Sequence, residues 1–392
     1  MTEQQRGIIL LIKSALTGES FKLPQGIDLG EVFSIAKTHG ISALLYYGAH
    51  NCGVDSKSEL MRENLALVYH SIMINERQDA EFNRIFAAFD EHEIEYMPLK
   101  GLRLRRLYPK SEMRRMGDAD ILIKPEQYEK IRPIMEELGY TEGVESDHEL
   151  HWSKKFAHVE LHKRLIPSYN KDYYAYFGDG WRLAAEREGN TFGYRMSRED
   201  EMIYLFTHFA KHYRDAGIGI RHLTDLWVYR RANSELCEDY IKTELEKLQL
   251  YEFYKNIIQT LAVWFEGAQC DEKSDFITRV IFNSGTFGKK ENSALSTALK
   301  ERKSGRNLAA FTRWRIFRSI FTDYENMCVY YPILEKFPVL LPFYWVAHFC
   351  RRLFKKNKVK NFVDAHLSIS EDEITDYQKS LNYVGLDYNF DS

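Results

Sequence analysis

The chain has 392 residues, 44% of them apolar, 14% aromatic and 28% charged, with a formal net charge of -3. That length supports roughly two or three packed units, the composition excludes a disordered or fibrous chain, and the charge argues against an extended nucleic-acid surface. The five cysteines, Cys52, Cys237, Cys270, Cys328 and Cys350, contain no CxxC pair, so neither a zinc site nor a disulfide framework is expected and a cytoplasmic location suits them.

Residues 1–20 hold a short apolar run interrupted by Lys13, with no basic leader and no small-residue cleavage site; they read as a helix. Apolar residues three and four apart over 31–48 and 59–75 continue the helical pattern to about residue 92. The texture then changes to short strands and helices: a strand at IEYMPL, a turn at Lys100-Gly101 opening the helix LRLRRLY, a strand at DADILIK, and a helix from Pro125 to near Gly139. HWSKKF and HVELHKRL follow as a hairpin. From Ser197, an N-cap with Asp200 at the capping-box position, helices dominate to the C-terminus. The NSGTFGKK loop lacks the spacing of a phosphate-binding loop and reads as a connector or lid, and a second break falls at Lys303–Asn307. The apolar run 337–350 is too short to span a membrane and contains Pro338 and Pro342. Six basic residues follow it within 351–360. Peripheral contact of 337–360 with an anionic membrane is one reading; a core helix ending in a solvated basic face is favoured.

The chemistry concentrates between Leu99 and Leu165. Asp118 and Asp120, two apart at the head of the apolar run Ile121-Leu122-Ile123, place two carboxylates on one face of a strand. Such a pair repels itself unless a cation intervenes, and a hard ion such as Mg²⁺ suits oxygen ligands. His158, Glu160 and His162 alternate in the same way, offering Glu160 as a third carboxylate and His162 as an orienting group. Lys100, Arg114 or Arg115 would neutralise phosphate, and Gly101 would let it approach the backbone. The alternative for the aspartates is a solvated strand end, and for Glu160 and His162 an ordinary sheet surface. His208 and His212, four apart on a helix, lack the HExxH glutamate of a zinc site and read as wall residues or nucleotide contacts. Arg221 and Asp225, one turn apart, read as a local ion pair in preference to cleft residues.

LKGLRLRRLYPKSEMRRMGDADILI resembles the core of the DNA polymerase β-like nucleotidyltransferase superfamily, and within it an uncharacterised bacterial family with an LKG, Tyr-Pro, Arg, D-x-D-x-L pattern. VELHKRL resembles that family's strand in which an acidic residue precedes a leucine and a histidine. The likeness is sharp over 97–165 and looser at Tyr46, 208–225 and the GTFG of 285–288. It implies an α+β fold: a small mixed sheet with helices on one face, forming a catalytic core at 90–197 between helical regions at 1–89 and 198–392. It also implies that Asp118, Asp120 and Glu160 bind Mg²⁺ or Mn²⁺ and transfer a nucleoside monophosphate from an NTP, ATP foremost, with Lys100, Gly101, Arg115, His162 and His208 contacting the nucleotide. Gly101-Leu102 departs from the superfamily's usual Gly-Gly or Gly-Ser, and Glu160 from its frequent Asp. The acceptor is open among small molecule, saccharide, protein and RNA. Rival readings are a catalytically silent nucleotide-binding scaffold and a toxin-like enzyme acting on RNA or protein.

Overall fold

In a computed structural model, which describes residues 1–146, 148–168, 170–187, 189, 191–285, 290–303, 324, 327–328, 331, 333–354 and 370–387, the first apolar run forms helix α1, Glu3–Thr17. Thr2 and Gln5 close a reciprocal capping box at its start, and Gly18, at φ 77°, ends it. The periodic stretch 31–48 is two helices, α2 (Leu29–Thr38) and α3 (Ser42–Asn51), because Gly40 at φ 67° turns the chain between them. Helix α4, capped by Ser58, runs from Glu59 to Glu91.

The sheet follows: β1 (Tyr96–Pro98), then the short helix α5 (Gly101–Leu104), β2 (Ala119–Ile123), helix α6 (Tyr128–Glu137), β3 (Thr141–Glu145), β4 (Glu149–Lys154) and β5 (Ala157–His162). Its strand order is β1-β2-β5-β4-β3, with β2 and β5 parallel and the other neighbours antiparallel. The fold is α+β, a mixed five-stranded sheet with helical flanks, as the sequence predicts. Helix LRLRRLY is shorter than expected, giving way to a 3-10 turn at Arg105–Leu107. Strand β3 escapes the sequence pattern because all five of its residues are exposed, leaving no alternation to read.

Period-two alternation divides this sheet chemically. Ala119, Ile121, Ile123, Leu150, Trp152, Val159 and Leu161 form one buried cluster with Phe82, Ile85 and Phe89 of α4 and Ile131, Ile134 and Met135 of α6. Burying each large side chain contributes about 1.5–3 kcal/mol. The intervening residues, Asp120, Glu149, His151, Glu160 and His162, therefore take the opposite face. A one-residue slip would exchange the two sets, so the apolar core fixes the register of the polar face.

Beyond the sheet lie α7 (Lys171–Phe177), the two-stranded ribbon β6 (Glu186–Arg187) and β7 (Tyr194–Arg195), then α8 (Arg198–Asp215), α9 (Ile220–Ala232), α10 (Glu238–Lys247), α11 (Tyr251–Leu261) and α12 (Glu272–Ser284). Ser197 caps α8 as expected, its hydroxyl accepting from the Asp200 amide at 3.1 Å.

Two compact units divide the chain: Met1–Tyr213 with Gly217–Gly288 and Val384–Asn389, which holds the sheet, and Arg214–Ala216 with Lys289–Tyr383 and Phe390–Ser392. The second contains α13 (Lys290–Lys303), α14 (Ile333–Lys336), α15 (Leu341–Phe354) and α16 (Glu371–Tyr383). Arg302 of α13 donates to Thr375 of α16 at 3.0 Å. Val339, Phe343 and Val346 are 79%, 74% and 64% exposed, so this face of the 337–350 run is not the core helix that the sequence favours. No helix among the described residues is long and apolar enough to cross a membrane. Residues 286–289 of the glycine-rich loop, 304–307 of the second break and the basic 355–360 lie outside the described residues.

Candidate active site

Lys100 and Gly101 are placed by the end of β1. The Leu99 amide donates to the Asp120 carbonyl at 2.9 Å, extending the β1–β2 ladder, and the chain then turns sharply. Lys100 makes the turn at φ 38°, ψ -108°, a conformation that favours glycine and costs a side chain about 1–3 kcal/mol. Its ammonium lies 2.9 Å from Asp120 Oδ1. Gly101 has a packing reason: a Cβ would lie 2.8 Å from both Arg114 Nη1 and Met116 Sδ.

Asp120 and Glu160 are register partners on the parallel strands β2 and β5, and His151 of β4 is the partner of Glu160 on its other side. His162 Nε2 sits 2.9 Å from Asp120 Oδ1 and 3.6 Å from Glu160 Oε2. Asp120, Glu160 and His162 thus bring ligand-type atoms within 4.8 Å of one another. Glu149, His151 and Glu160 form a second such group that shares Glu160. Asp118 immediately precedes β2 and lines the same cleft.

The electrostatics follow from these contacts. Burial works against an ionised Asp120, but Lys100 and His162 outweigh it and hold the carboxyl well below its usual range. Burial would discharge Lys100; the Asp120 charge reverses this and keeps it an ammonium. Burial also opposes protonation of His162, and its hydrogen bonds to Asp120 and Glu160 overcome that, raising its pKa. Asp118 is pushed upward, first by burial and then by the charges of Asp120 and Glu160. Converging anions of this kind are relieved by a cation. Glu149 is drawn down to about 2: burial opposes the shift, and His148, at 2.8 Å, dominates it.

A cleft of about 480 Å³ opens above this face. Its sheet side carries Lys100, Gly101, Asp118, Asp120, Glu149, Glu160 and His162, and α8 and α9 supply His208, Lys211, His212, Arg221, His222 and Asp225. His208 and His212 stack edge to face at 4.3 Å. Burial, followed by neighbouring positive charge, drives the pKa of His208 and of His222 well below the usual value, so both imidazoles are neutral hydrogen-bonding groups at neutral pH.

One expectation needs correction. Arg221 and Asp225 do not form a local pair. Asp225 takes a two-pronged ion pair from Arg114, at 3.2 and 3.0 Å, and a hydrogen bond from Tyr108 at 2.7 Å, while Arg221 donates to the Arg115 carbonyl at 3.3 Å. The bidentate geometry and the third donor outcompete helical spacing. Of the two arginines that the sequence offers to phosphate, Arg114 lines the cleft, and Arg115 has an exposed side chain and is not part of the lining. Glu149, His151, Lys211 and His222 were not anticipated. The first two carry a signal, since Glu149 and His151 alternate with Leu150 and Trp152, but the run HWSKKF begins only at His151.

A lysine–glycine turn, a carboxylate-bearing polar face on a small mixed sheet and a helical wall closing the cleft together define a protein of the nucleotidyltransferase class. A family model described as "Uncharacterised nucleotidyltransferase" matches residues 25–266, well over half of the chain, and the chain belongs to that family. No curated protein and no solved structure matches it.

Proposed function

We propose that the protein transfers a nucleoside monophosphate from an NTP, ATP foremost, to an acceptor hydroxyl, with residues 90–197 as the catalytic core. The observation that carries this reading is the pairing of Asp120 with Glu160 across parallel strands, with Asp118 lining the same cleft. The donor set is rich in carboxylate oxygen and carries converging negative charge, which fits Mg²⁺ or Mn²⁺. Asp118, Asp120 and Glu160 would hold the metal, with His162 orienting Asp120. Divalent ions bound there would neutralise the phosphates and the entering and departing oxygens.

The chain's own residues supply the rest. Lys100 keeps Asp120 ionised and therefore competent as a ligand. Arg114, locked by Asp225, presents a fixed guanidinium to the cleft, and neutral His208 and His222 can hydrogen-bond a base or ribose without adding charge. In the reaction the bond from the acceptor oxygen to the α-phosphorus forms as the α–β phosphoanhydride breaks, the acceptor proton is released and pyrophosphate leaves. Much of the rate would come from positioning and fixed charge.

Incubation of the purified protein with labelled NTPs, Mn²⁺ and a cell extract should label one acceptor fraction. Asp120→Asn should abolish both labelling and the metal-dependent gain in NTP binding. Metal-dependent NTP binding that is unchanged in this variant would remove the proposed site, and a partner bound equally well by both forms without any labelling would favour a silent scaffold.

A further inference from the structure

Up to Cys350, helix α15 is apolar on every side. Residues 337–350, FPVLLPFYWVAHFC, contain no lysine, arginine, aspartate or glutamate. One face is accounted for: Leu340, Leu341, Tyr344 and Trp345 pack against a small cluster of Met327, Cys328 and Leu334, and the buried His348 lies edge-on to Tyr331, with ring centroids 5.8 Å apart. Elsewhere the apolar surface is open. Phe343 and Val346, three apart on the helix, and Phe337 and Val339, beside and within the 3-10 turn Pro338–Leu340 that leads into it, are each more than half exposed. A helix apolar all round is normally buried, and exposed apolar surface of this kind marks a contact with something else.

The sequence next to this face is strongly positive. Arg351, Arg352, Lys355, Lys356, Lys358 and Lys360 follow directly, and residues 336–363 contain no aspartate or glutamate. Over 302–363 there are thirteen lysines and arginines against three acids, in a chain whose net charge is -3. The basic excess is therefore concentrated here, and the remainder is acidic. Attraction to an anionic surface depends on the number and nearness of such charges, not on one fixed conformation. At 14 residues α15 is too short to span a bilayer, but an apolar face adjoining a basic cluster suits a helix lying in the headgroup plane. Tyr344 and Trp345, half-buried in the same helix, are residue types that settle at that level. A second copy would bring the same positive segment to the same face, which like charge opposes. A nucleic acid would satisfy the charge and leave the aliphatic Val339 and Val346 in water.

We infer that the surface exposing Phe337, Val339, Phe343 and Val346 docks on an anionic lipid bilayer, its apolar side chains entering the acyl boundary while the adjoining basic segment meets the headgroups. This contact is independent of the nucleotidyl-transfer reading.

The test is co-sedimentation of the intact protein with phosphatidylcholine vesicles, alone and with about one third phosphatidylglycerol. Binding is expected on the anionic vesicles and should be about tenfold or more weaker on the neutral ones. Phe343→Ser/Val346→Ser should weaken it about tenfold. Both side chains are exposed, so the melting curve without lipid should be unaltered. Lys355→Gln/Lys356→Gln/Lys358→Gln, which keeps the apolar face, should weaken binding about a hundredfold, and Asp120→Asn should leave it unchanged. Equal binding to both kinds of vesicle, binding to neither, or affinity unchanged in the serine variant would overturn the inference. So would a dimer in lipid-free sedimentation velocity that the serine substitutions dissociate, which would assign the face to a second copy, or tight binding of an oligoribonucleotide by a protein that ignores the anionic vesicles.

Discussion

Asp120 and Glu160 face one another as register partners on β2 and β5, and His162, two residues after Glu160, reaches back to touch both. Parallel pairing makes this possible. Both strands enter the site from the same end, so a carboxylate from each arrives at the same level of the sheet and the next inward residue of β5 lies one step above. The buried Asp120 is then held by two donors, Lys100 and His162, each at 2.9 Å.

The Lys100–Asp120 pair supports a double-substitution prediction. Asp120→Ala leaves the Lys100 ammonium in a buried site without its partner and should destabilise the fold by about 3 kcal/mol. Lys100→Met added to Asp120→Ala should recover about half of that loss. Urea unfolding of the single and double variants measures the coupling, and simple additivity of the two single losses would contradict it.

Asp225 should be a structural anchor of the cleft. Asp225→Ala strands the buried Arg114 and is expected to cost about 3 kcal/mol. Tyr108→Phe removes one hydrogen bond to the same carboxylate and should cost about 1 kcal/mol. Chemical denaturation ranks the two; equal effects would show that Arg114 does not depend on Asp225.

His39 makes stability depend on pH. Its Nε2 lies 3.1 Å from the Phe282 carbonyl and its Nδ1 accepts from the Ile220 amide at 3.2 Å, so the ring is the neutral Nε2–H tautomer. Burial lowers its pKa more than the Phe282 bond restores. The unfolded chain therefore binds this proton first: the contribution is complete above the ordinary value of about 6.5 and is lost as pH falls below it. Buried His208 and His222 act in the same direction. The raised pKa of His162 acts in the opposite sense, so the measure is a difference: between about pH 7.5 and 5.5 the melting temperature of the unsubstituted protein should fall relative to that of His39→Gln. A slope identical to that of the unsubstituted protein would refute the assignment.

Gly48 is the sharpest steric test. A Cβ there would lie 2.0 Å from the Leu11 carbonyl oxygen of α1, a backbone atom, so Gly48→Ala must separate α1 from α3 and should cost about 3 kcal/mol. Gly101→Ala meets side-chain atoms of Arg114 and Met116, at 2.8 Å, in place of backbone and should be milder. Thermal melting of both variants gives the order.

Much of this protein was determined by local pattern. Apolar residues at every second position of β2 and β5 required Asp120, Glu160 and His162 to share the face opposite the core, and the Lys100-Gly101 turn was written in its own residues. Helical spacing predicted α1 and the cap of α8 for the same reason: these signals arise between residues a few positions apart. Strand adjacency has no local signal. That β2 pairs with β5, bringing Asp120 beside Glu160 forty residues later, depends on the packing of α4 and α6 against one whole face. Nor could spacing along α9 show that Asp225 belongs to Arg114, 111 residues away. Helical geometry offered Arg221, and only the tertiary structure brought in the buried guanidinium that binds with two prongs.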